Sequence, residues 1–195
     1  MLQELIEVQR LKNLDRTGWS LRGLAPRTES VAAHSFGVGV VAMLLVDELA
    51  SRGVKVNSER VLRMALLHDW AEARIGDMPK TASTYFGTGQ RKRAELAAFS
   101  DIVSGLGASA DLYRELYEDY EQRSSVEARL VKAADVIDLL VQVLTLERAG
   151  ARGLDEFWEV AQAPNFSLDG PAEQIIAELM QELVKLRQEI NQSAG

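Results

Sequence analysis

Residues 61–72 read Val-Leu-Arg-Met-Ala-Leu-Leu-His-Asp-Trp-Ala-Glu, an apolar run at helical spacing that ends in the pair His68-Asp69. The whole chain contains two histidines, and the other, His34, lies in a second apolar helical stretch. A third such stretch contains Asp135. A buried carboxylate is costly unless it is paired or bound to a metal. Two imidazoles and two carboxylates on apolar helices therefore predict a site for a divalent transition metal that activates water.

Apolar residues recur at helical spacing along nearly the whole chain, and no run of alternating β-branched residues is long enough to predict a sheet. We therefore expect an all-α protein built as a helical bundle. At 195 residues the chain is long enough for one well-filled core and too short for a second full domain. The sequence thus predicts a single domain over residues 1–195.

The predicted helices are bounded by capping residues, glycines and prolines. They cover about Leu2–Leu14, Ser30 to before Gly53, Ser58–Ala73, Gln90–Ser104, Ala110–Gln122, a segment opened by a capping box at Ser124 and Glu127 and interrupted at Gly150, then Leu154–Ala163 and Pro171–Asn191. The third of them would hold His68, Asp69 and Glu72 on one continuous helix. His68 and Asp69 could then approach one ion from adjacent directions, while Glu72 would lie one turn further on.

Composition excludes several classes of site and partner. The absence of cysteine excludes disulfides, thiolate zinc sites, a cysteine nucleophile and iron–sulfur clusters. The acidic N-terminus is unlike a secretory signal, and the longest apolar run, Val38–Val46, is far shorter than the roughly 20 residues that cross a bilayer. We therefore expect a cytoplasmic protein without a membrane partner.

The net charge of −7 and the lack of a basic stripe argue against a nucleic-acid polymer as partner. A small phosphorylated substrate remains compatible with this charge, because a few local arginines bind one phosphate. The loop at residues 15–28 contains three arginines, Arg16, Arg22 and Arg27, which form a candidate phosphate clamp. In the same loop, Trp19 is either a packing residue or a wall of a nucleoside pocket.

Two further questions concern the acidic residues near the predicted ligands. Asp135 and Asp138 lie three residues apart, and spacing alone does not decide which of them binds the ion. Glu72 and Asp77 lie just beyond the His-Asp pair. They are candidates to orient the attacking water and to handle the leaving-group proton or a sugar hydroxyl.

Five motifs of this chain together resemble the HD-domain phosphohydrolase superfamily and, within it, the 5'-deoxynucleotidases. They are Arg16-Thr17-Gly18-Trp19, Arg27-Thr28-Glu29-Ser30-Val31-Ala32-Ala33-His34-Ser35, His68-Asp69-Trp70-Ala71-Glu72, Gly76-Asp77-Met78-Pro79 and Leu130-Val131-Lys132-Ala133-Ala134-Asp135. The resemblance covers residues 5–150, and residues 151–195 would form additional C-terminal helices.

The resemblance implies an HD-domain helical bundle that forms a homodimer and binds one divalent ion, either Mn, Co, Mg, Zn or Fe. It implies four ligands, His34, His68, Asp69 and Asp135, which selects Asp135 over Asp138. It also implies that Glu72 and Asp77 serve catalysis and substrate binding, that Arg16 meets the phosphate, and that Trp19 restricts the 2' position of the sugar.

The expected function is removal of the 5'-phosphate from (deoxy)nucleoside 5'-monophosphates by a metal-activated water. Glu72 would orient or deprotonate that water, and Arg16 with Lys80 would offset the developing charge. Two alternatives are a pyrophosphohydrolase of guanosine alarmones and a non-catalytic helical module with a structural metal. The arginine loop and the acids outside the ligand set favour an open, catalytic site over a closed structural one.

Overall fold

The protein is all-helical in its computed structural model, as the sequence predicts. The structure describes residues 1–193 and all of their side chains except four, namely those of Lys80, Ser83, Thr88 and Ser193. Eleven α-helices are described: α1 Leu2–Val8, α2 Thr17–Ser20, α3 Val31–Ser51, α4 Ser58–Leu67, α5 Glu72–Ile75, α6 Ser83–Phe86, α7 Thr88–Val103, α8 Ala110–Gln122, α9 Val126–Arg148, α10 Glu159–Gln162 and α11 Gly170–Ser193. Short 3-10 helices occupy Gln9–Lys12, Lys80–Ala82, Ser104–Ser109 and Asp155–Trp158.

The two long helices α3 and α9 pack against each other at the centre of the bundle. Helix α9 also contacts α4, α8 and α11, so it is surrounded on most sides and buries residues along its whole length. Helix α3 begins where the Ser30 hydroxyl accepts a hydrogen bond from the Ala33 amide at 3.1 Å, a typical N-cap. The centre of the bundle is therefore the contact between α3, α4 and α9.

Helix α3 is long and apolar enough to cross a membrane by length and composition, with a mean hydropathy of 1.5 over its most apolar window. In the structure one side of this helix is covered by α4 and α9, where it buries Val38, Ala42, Leu45 and Leu49. A helix at the centre of a bundle has the same composition as a membrane span. This packing accounts for the buried side of α3, whereas Phe36, Met43 and Leu44 on the same helix are exposed.

The segment that was predicted as one helix up to Ala73 is interrupted. Helix α4 ends at Leu67, and α5 begins only at Glu72. Between them the backbone forms tighter i→i+3 bonds, from the Trp70 amide to Leu67 and from the Glu72 amide to Asp69. The prediction of one continuous helix is therefore wrong, and both predicted ligands of the His-Asp pair lie in a turn after α4.

The capping box at Ser124 and Glu127 is also wrong. Ser125 caps α9 by accepting a hydrogen bond from the Ala128 amide at 3.0 Å. Glu127 instead accepts one from the Asn57 amide at 3.0 Å, which ties α9 to the start of α4. Helix α8 ends two residues before this cap, where Arg123 adopts a left-handed conformation with φ 55°.

The N-terminal region also departs from prediction. Helix α1 ends at Val8 and continues as a 3-10 turn instead of running to Leu14 as one α-helix. The arginine loop contains the short helix α2 and forms an isolated bridge between Asp15 and Ser30. This bridge holds the loop against the start of α3.

Asp119 joins three helices, and its loss is expected to destabilise the fold. Its carboxylate accepts hydrogen bonds from Arg60 Nη2 at 2.6 Å and from Ser125 Oγ and the Ser125 amide at 2.7 and 2.9 Å. Hydrogen bonds to a charged group contribute about 1.5–3 kcal/mol each. We expect Asp119→Ala to lower the free energy of unfolding by about 2–3 kcal/mol at pH 7, measured by urea unfolding, which is less than the sum of the three bonds because Arg60 keeps Glu115 as a partner.

The effect of this substitution should depend on pH in a defined direction. Burial raises the pKa of Asp119, but hydrogen bonds from Arg60 and Ser125 outweigh it and lower the pKa. The stabilisation is therefore present above the unfolded carboxyl pKa of about 3.9 and is lost as the pH falls through the lower folded value. The difference between wild type and variant should shrink below pH 4. The exposed Asp47→Asn control, inside α3, should match wild type, and an equal effect in both variants would contradict the network.

Candidate active site

The four predicted ligands meet between α3, α9 and the turn after α4. One ligand atom each from His34, His68 and Asp135 lies within 4.8 Å of the others. Asp69 adds its Oδ2, which lies 3.2 Å from His68 Nε2 and 3.8 Å from His34 Nε2. Both imidazoles are buried. The structure thus brings together residues separated by up to about a hundred positions in the chain.

Hydrogen bonds fix which nitrogen each imidazole presents to the others. His68 Nδ1 lies 2.8 Å from the Ala65 carbonyl oxygen, and a carbonyl only accepts, so this nitrogen carries the proton. His34 Nδ1 lies 2.8 Å from Asp138 Oδ2. Each histidine therefore directs its Nε2 towards the centre of the cluster.

The cluster contains buried polar atoms that lack a hydrogen-bond partner. Within residues 1–193 they include His34 Nε2, His68 Nε2 and Asp69 Oδ2. Buried polar atoms are normally paired, and these three converge on one point. Imidazole nitrogen with carboxylate oxygen is a donor set that suits a divalent transition metal. The residues therefore fit a metal ion on geometric and chemical grounds.

The carboxylates of the cluster are held in the ionised form. Burial raises the pKa of Asp135, but Lys132 and His34 outweigh it and lower the pKa well below its usual range. Asp135 Oδ2 accepts hydrogen bonds from Lys132 Nζ at 2.6 Å and from the Tyr120 hydroxyl at 3.2 Å. For Asp69, burial is likewise outweighed by the nearby histidines and Arg16, which lower its pKa.

His34 interacts with two carboxylates. Burial and the charge of Arg16 oppose its protonation, but the adjacent carboxylates of Asp135 and Asp138 outweigh them and raise its pKa to about 9. His34 Nε2 lies 3.1 Å from Asp135 Oδ1. Carboxylates on both sides of the ring therefore favour a positive charge at this position.

A cavity of about 430 Å³ opens onto the cluster, and Glu72 and Asp77 line it. Glu72 is buried, and its Oε2 has no hydrogen-bond partner in the described part of the chain. Burial, together with the charges of Asp69 and Asp77, raises the pKa of Glu72 to about 10. Asp77 accepts a hydrogen bond from the Thr17 amide at 2.5 Å, which fixes the start of α2.

The structure brings one of the three loop arginines to the cavity. Arg16 lines it, and its Nη1 lies 3.6 Å from Asp69 Oδ2. Burial lowers the pKa of Arg16, but the nearby carboxylates outweigh it and raise the pKa, so the guanidinium stays charged. Arg22 instead pairs with Glu156, and Arg27 is exposed.

Trp19 lines the cavity but is mostly enclosed by protein, with 2% of its surface exposed. Its indole nitrogen donates to Glu29 Oε2 at 2.8 Å, and its ring centroid lies 4.9 Å from that of Phe157. Trp19 is thus both a packing residue and part of the wall. Lys80 begins the 3-10 helix after Pro79, and its side chain lies outside what the structure describes.

Sequence reasoning missed several side chains that line the cavity. Four are cations, and they come from α7, the end of α8 and α9: Arg91, Lys92, Arg123 and Lys132. The spacing of Lys132 three residues before Asp135 is the one local signal that pointed to any of them. Phe157 also lines the cavity, from the segment after α9.

Asp138 lies outside the cavity wall and contacts His34 on the side opposite Asp135. The placement is thus consistent with Asp135 as the ligand of the pair. Arg91 is held by Glu95, whose Oε1 accepts from its Nε at 2.6 Å.

Comparison with known proteins identifies relatives of this chain. The family model described as "HD domain" matches residues 8–163. The chain is 35% identical over 150 residues to the 5'-deoxynucleotidase HDDC2 of Homo sapiens, which covers 75% of this chain and 68% of that protein. It is 32% identical over 157 residues to the 5'-deoxynucleotidase hdd1 of Schizosaccharomyces pombe, covering 77% of this chain and 75% of that protein.

Solved structures show the same architecture. The PH0347 protein from Pyrococcus horikoshii aligns over 95% of this chain and 99% of its own, with a TM-score of 0.80 and 35% identity. An HD-domain phosphohydrolase from Listeria innocua shares the fold, with a TM-score of 0.66 and 22% identity. The family match extends over all four converging ligand residues. With this match and this geometry, the chain belongs to the HD-domain phosphohydrolase family.

Proposed function

We propose that this protein removes the 5'-phosphate from (deoxy)nucleoside 5'-monophosphates in a metal-dependent reaction. One observation supports this most directly. Unpartnered nitrogen and carboxylate atoms converge at one end of a cavity that also presents Arg16 and the buried carboxyl of Glu72. The relatives named 5'-deoxynucleotidase supply the substrate class.

His34, His68, Asp69 and Asp135 would hold the ion. When bound there, such an ion polarises a phosphate oxygen and makes a hydroxide nucleophile available near neutral pH. A structural metal site is closed, with all positions taken by protein. Here the cluster borders an open cavity, which supports a catalytic role over a structural one.

Arg16 binds the phosphate in this proposal. Its guanidinium lies at the cavity wall within 3.6 Å of Asp69, beside the ligand cluster. A guanidinium presents several N–H donors in a planar fork that matches phosphate oxygens. Arg91, Lys92 and Lys132 add positive charge around the same cavity. These three cations are paired with Glu95, Glu121 and Asp135, so the phosphate would be met chiefly by Arg16 and the ion.

In this proposal Glu72 acts as the proton donor to the leaving group, in place of the role of activating the water that the sequence analysis gave it. Burial and the neighbouring carboxylates of Asp69 and Asp77 raise its pKa, which favours the protonated carboxyl. As hydroxide attacks phosphorus and the bond from phosphorus to the 5'-oxygen breaks, that oxygen takes the proton of Glu72, which leaves hydrogen phosphate, the nucleoside and the Glu72 carboxylate. Proton transfer by a positioned side chain contributes roughly 100- to 10,000-fold to a rate.

The cavity suits a nucleotide in size and lining. Its volume of about 430 Å³ lies within the range of small-molecule sites. Trp19 and Phe157 provide an aromatic wall beside the charged end. An aromatic wall next to a cationic end is what a sugar and base linked to a phosphate require.

Removal of metal is expected to abolish hydrolysis. Chelation should eliminate release of phosphate from dAMP, and Mn²⁺ or Co²⁺ should restore it, because the nucleophile depends on the ion. His68→Ala should lose metal while keeping its helical circular dichroism. Metal content, by elemental analysis, and phosphate release are the measurements. Full activity of the metal-free protein would refute the proposal.

Glu72→Gln is expected to keep the metal and to lose about 100-fold or more in kcat for dAMP, since the proton donor is gone. Hydrolysis of p-nitrophenyl phosphate should fall much less, because its leaving group needs no proton. Glu59→Gln, on the exposed side of α4, is the matched control and should resemble wild type. An equal loss on both substrates would contradict the donor role.

Arg16→Gln is expected to raise KM for dAMP at least 10-fold and to lower kcat, because the phosphate loses a charged partner in both ground and transition states. Arg27→Gln removes the same charge from the same loop at an exposed position and should leave both parameters unchanged. Steady-state kinetics on both variants decide the matter. Equal effects of the two substitutions would mean that only the net charge matters.

A further inference from the structure

His34 of α3 lies between two carboxylates of α9, those of Asp135 and Asp138. Asp135 Oδ1 lies 3.1 Å from its Nε2, and Asp138 Oδ2 lies 2.8 Å from its Nδ1. His68 is oriented differently, because its Nδ1 donates to the Ala65 carbonyl of its own helix. The orientation of His34 thus depends on a side chain from another helix, whereas that of His68 depends on local backbone.

The contact between Asp138 and His34 requires a glycine at position 37. A Cβ placed on Gly37 would lie 2.0 Å from Asp138 Oδ1 and 2.7 Å from its Cγ. Real Cβ contacts are never this short, so a side chain there would displace the carboxylate. Glycine within a helix is unfavourable compared with alanine. The space that Asp138 occupies gives a physical reason for a glycine in the middle of α3.

We propose that Asp138 is a positioning residue for the metal site. It fixes His34 in the tautomer that carries its proton on Nδ1, and so aims Nε2 at the ion. Carboxylates that accept a hydrogen bond from a ligating histidine orient the ring and strengthen it as a ligand. This inference rests on the metal site of the proposed function, but not on its substrate or on its proton donor.

A competing interpretation is that the same residues hold a second ion. Glu29, His34 and Asp138 also have ligand atoms within 4.8 Å of one another. Two contacts favour the positioning role. His34 Nδ1 is already at hydrogen-bond distance from Asp138, and Glu29 Oε2 already accepts from the Trp19 indole at 2.8 Å.

The direct test is metal affinity, measured without any nucleotide. We expect Asp138→Ala to weaken binding of Mn²⁺ to the full-length, metal-stripped protein by about 10- to 100-fold in isothermal titration calorimetry. Asp138→Asn, which keeps an acceptor oxygen but loses the charge, should give a smaller loss. Asp47→Asn removes one charge from the exposed side of α3 and should bind Mn²⁺ as wild type does.

A double-mutant cycle separates positioning from general damage to the fold. Gly37→Ala alone should weaken Mn²⁺ binding to a similar extent, because its Cβ displaces the Asp138 carboxylate. In the Asp138→Ala background the same Gly37→Ala substitution should cost no further affinity. It should also raise Tm there, because alanine favours the helix and the clash has been removed. Additive losses of affinity would overturn the proposal.

The presence of only two histidines allows a spectroscopic check. In the Zn²⁺-loaded protein, ¹⁵N NMR should show protonated Nδ1 on both rings, and Asp138→Ala should perturb the His34 signal while leaving that of His68 as an internal control. Wild-type affinity in Asp138→Ala, or a second ion per chain that this variant loses, would overturn the inference. A wild type that binds Mn²⁺ but hydrolyses no monophosphate would overturn only the proposed function.

Discussion

The arrangement of the bundle depends on the charges buried between α3, α4 and α9. Asp69 and Asp135 are ionised beside two imidazoles, in a region where most neighbouring residues are apolar. Breaking one partner of such a buried pair is far more costly than breaking an exposed one. The turn after α4 and the facing sides of α3 and α9 are therefore restrained towards one relative position. Hydrophobic burial supplies the stability of this core, and the ligand cluster restricts how its helices can be arranged.

The ligands were predictable because of where polar residues stand in apolar helices. A histidine or aspartate in such a helix needs a partner, and this chain has few histidines to provide one. Spacing could not separate Asp135 from Asp138, since both lie on one face of α9. The structure shows that both contact His34, one at each nitrogen. Spacing does not separate the two aspartates because both contact the same imidazole, one at each nitrogen.

The predictions that proved wrong concern elements whose structure depends on contacts between distant parts of the chain, which short sequence patterns do not contain. Helix α4 ends early because the backbone after Leu67 tightens into i→i+3 bonds, although the apolar spacing continues. Glu127 accepts a hydrogen bond from the Asn57 amide, 70 positions away in the chain, and does not form the predicted capping box with Ser124. Arg22 turns to Glu156 of the C-terminal segment. In each case a tertiary or backbone contact overrides the preference of the short motif.

The loop that lines the cavity is fixed to the same backbone that positions the ligands. The Arg16 amide donates to the Glu29 carbonyl at 3.0 Å, and the Val31 amide donates to the Leu14 carbonyl at 2.9 Å. Both bonds join the loop to the start of α3, one turn before His34. Asp77 holds the other side of the loop through Thr17. Positioning a reacting group to within a fraction of an ångström requires such support. Because the guanidinium and the imidazole share this frame, a shift of α3 would displace the phosphate-binding side chain together with the metal ligand.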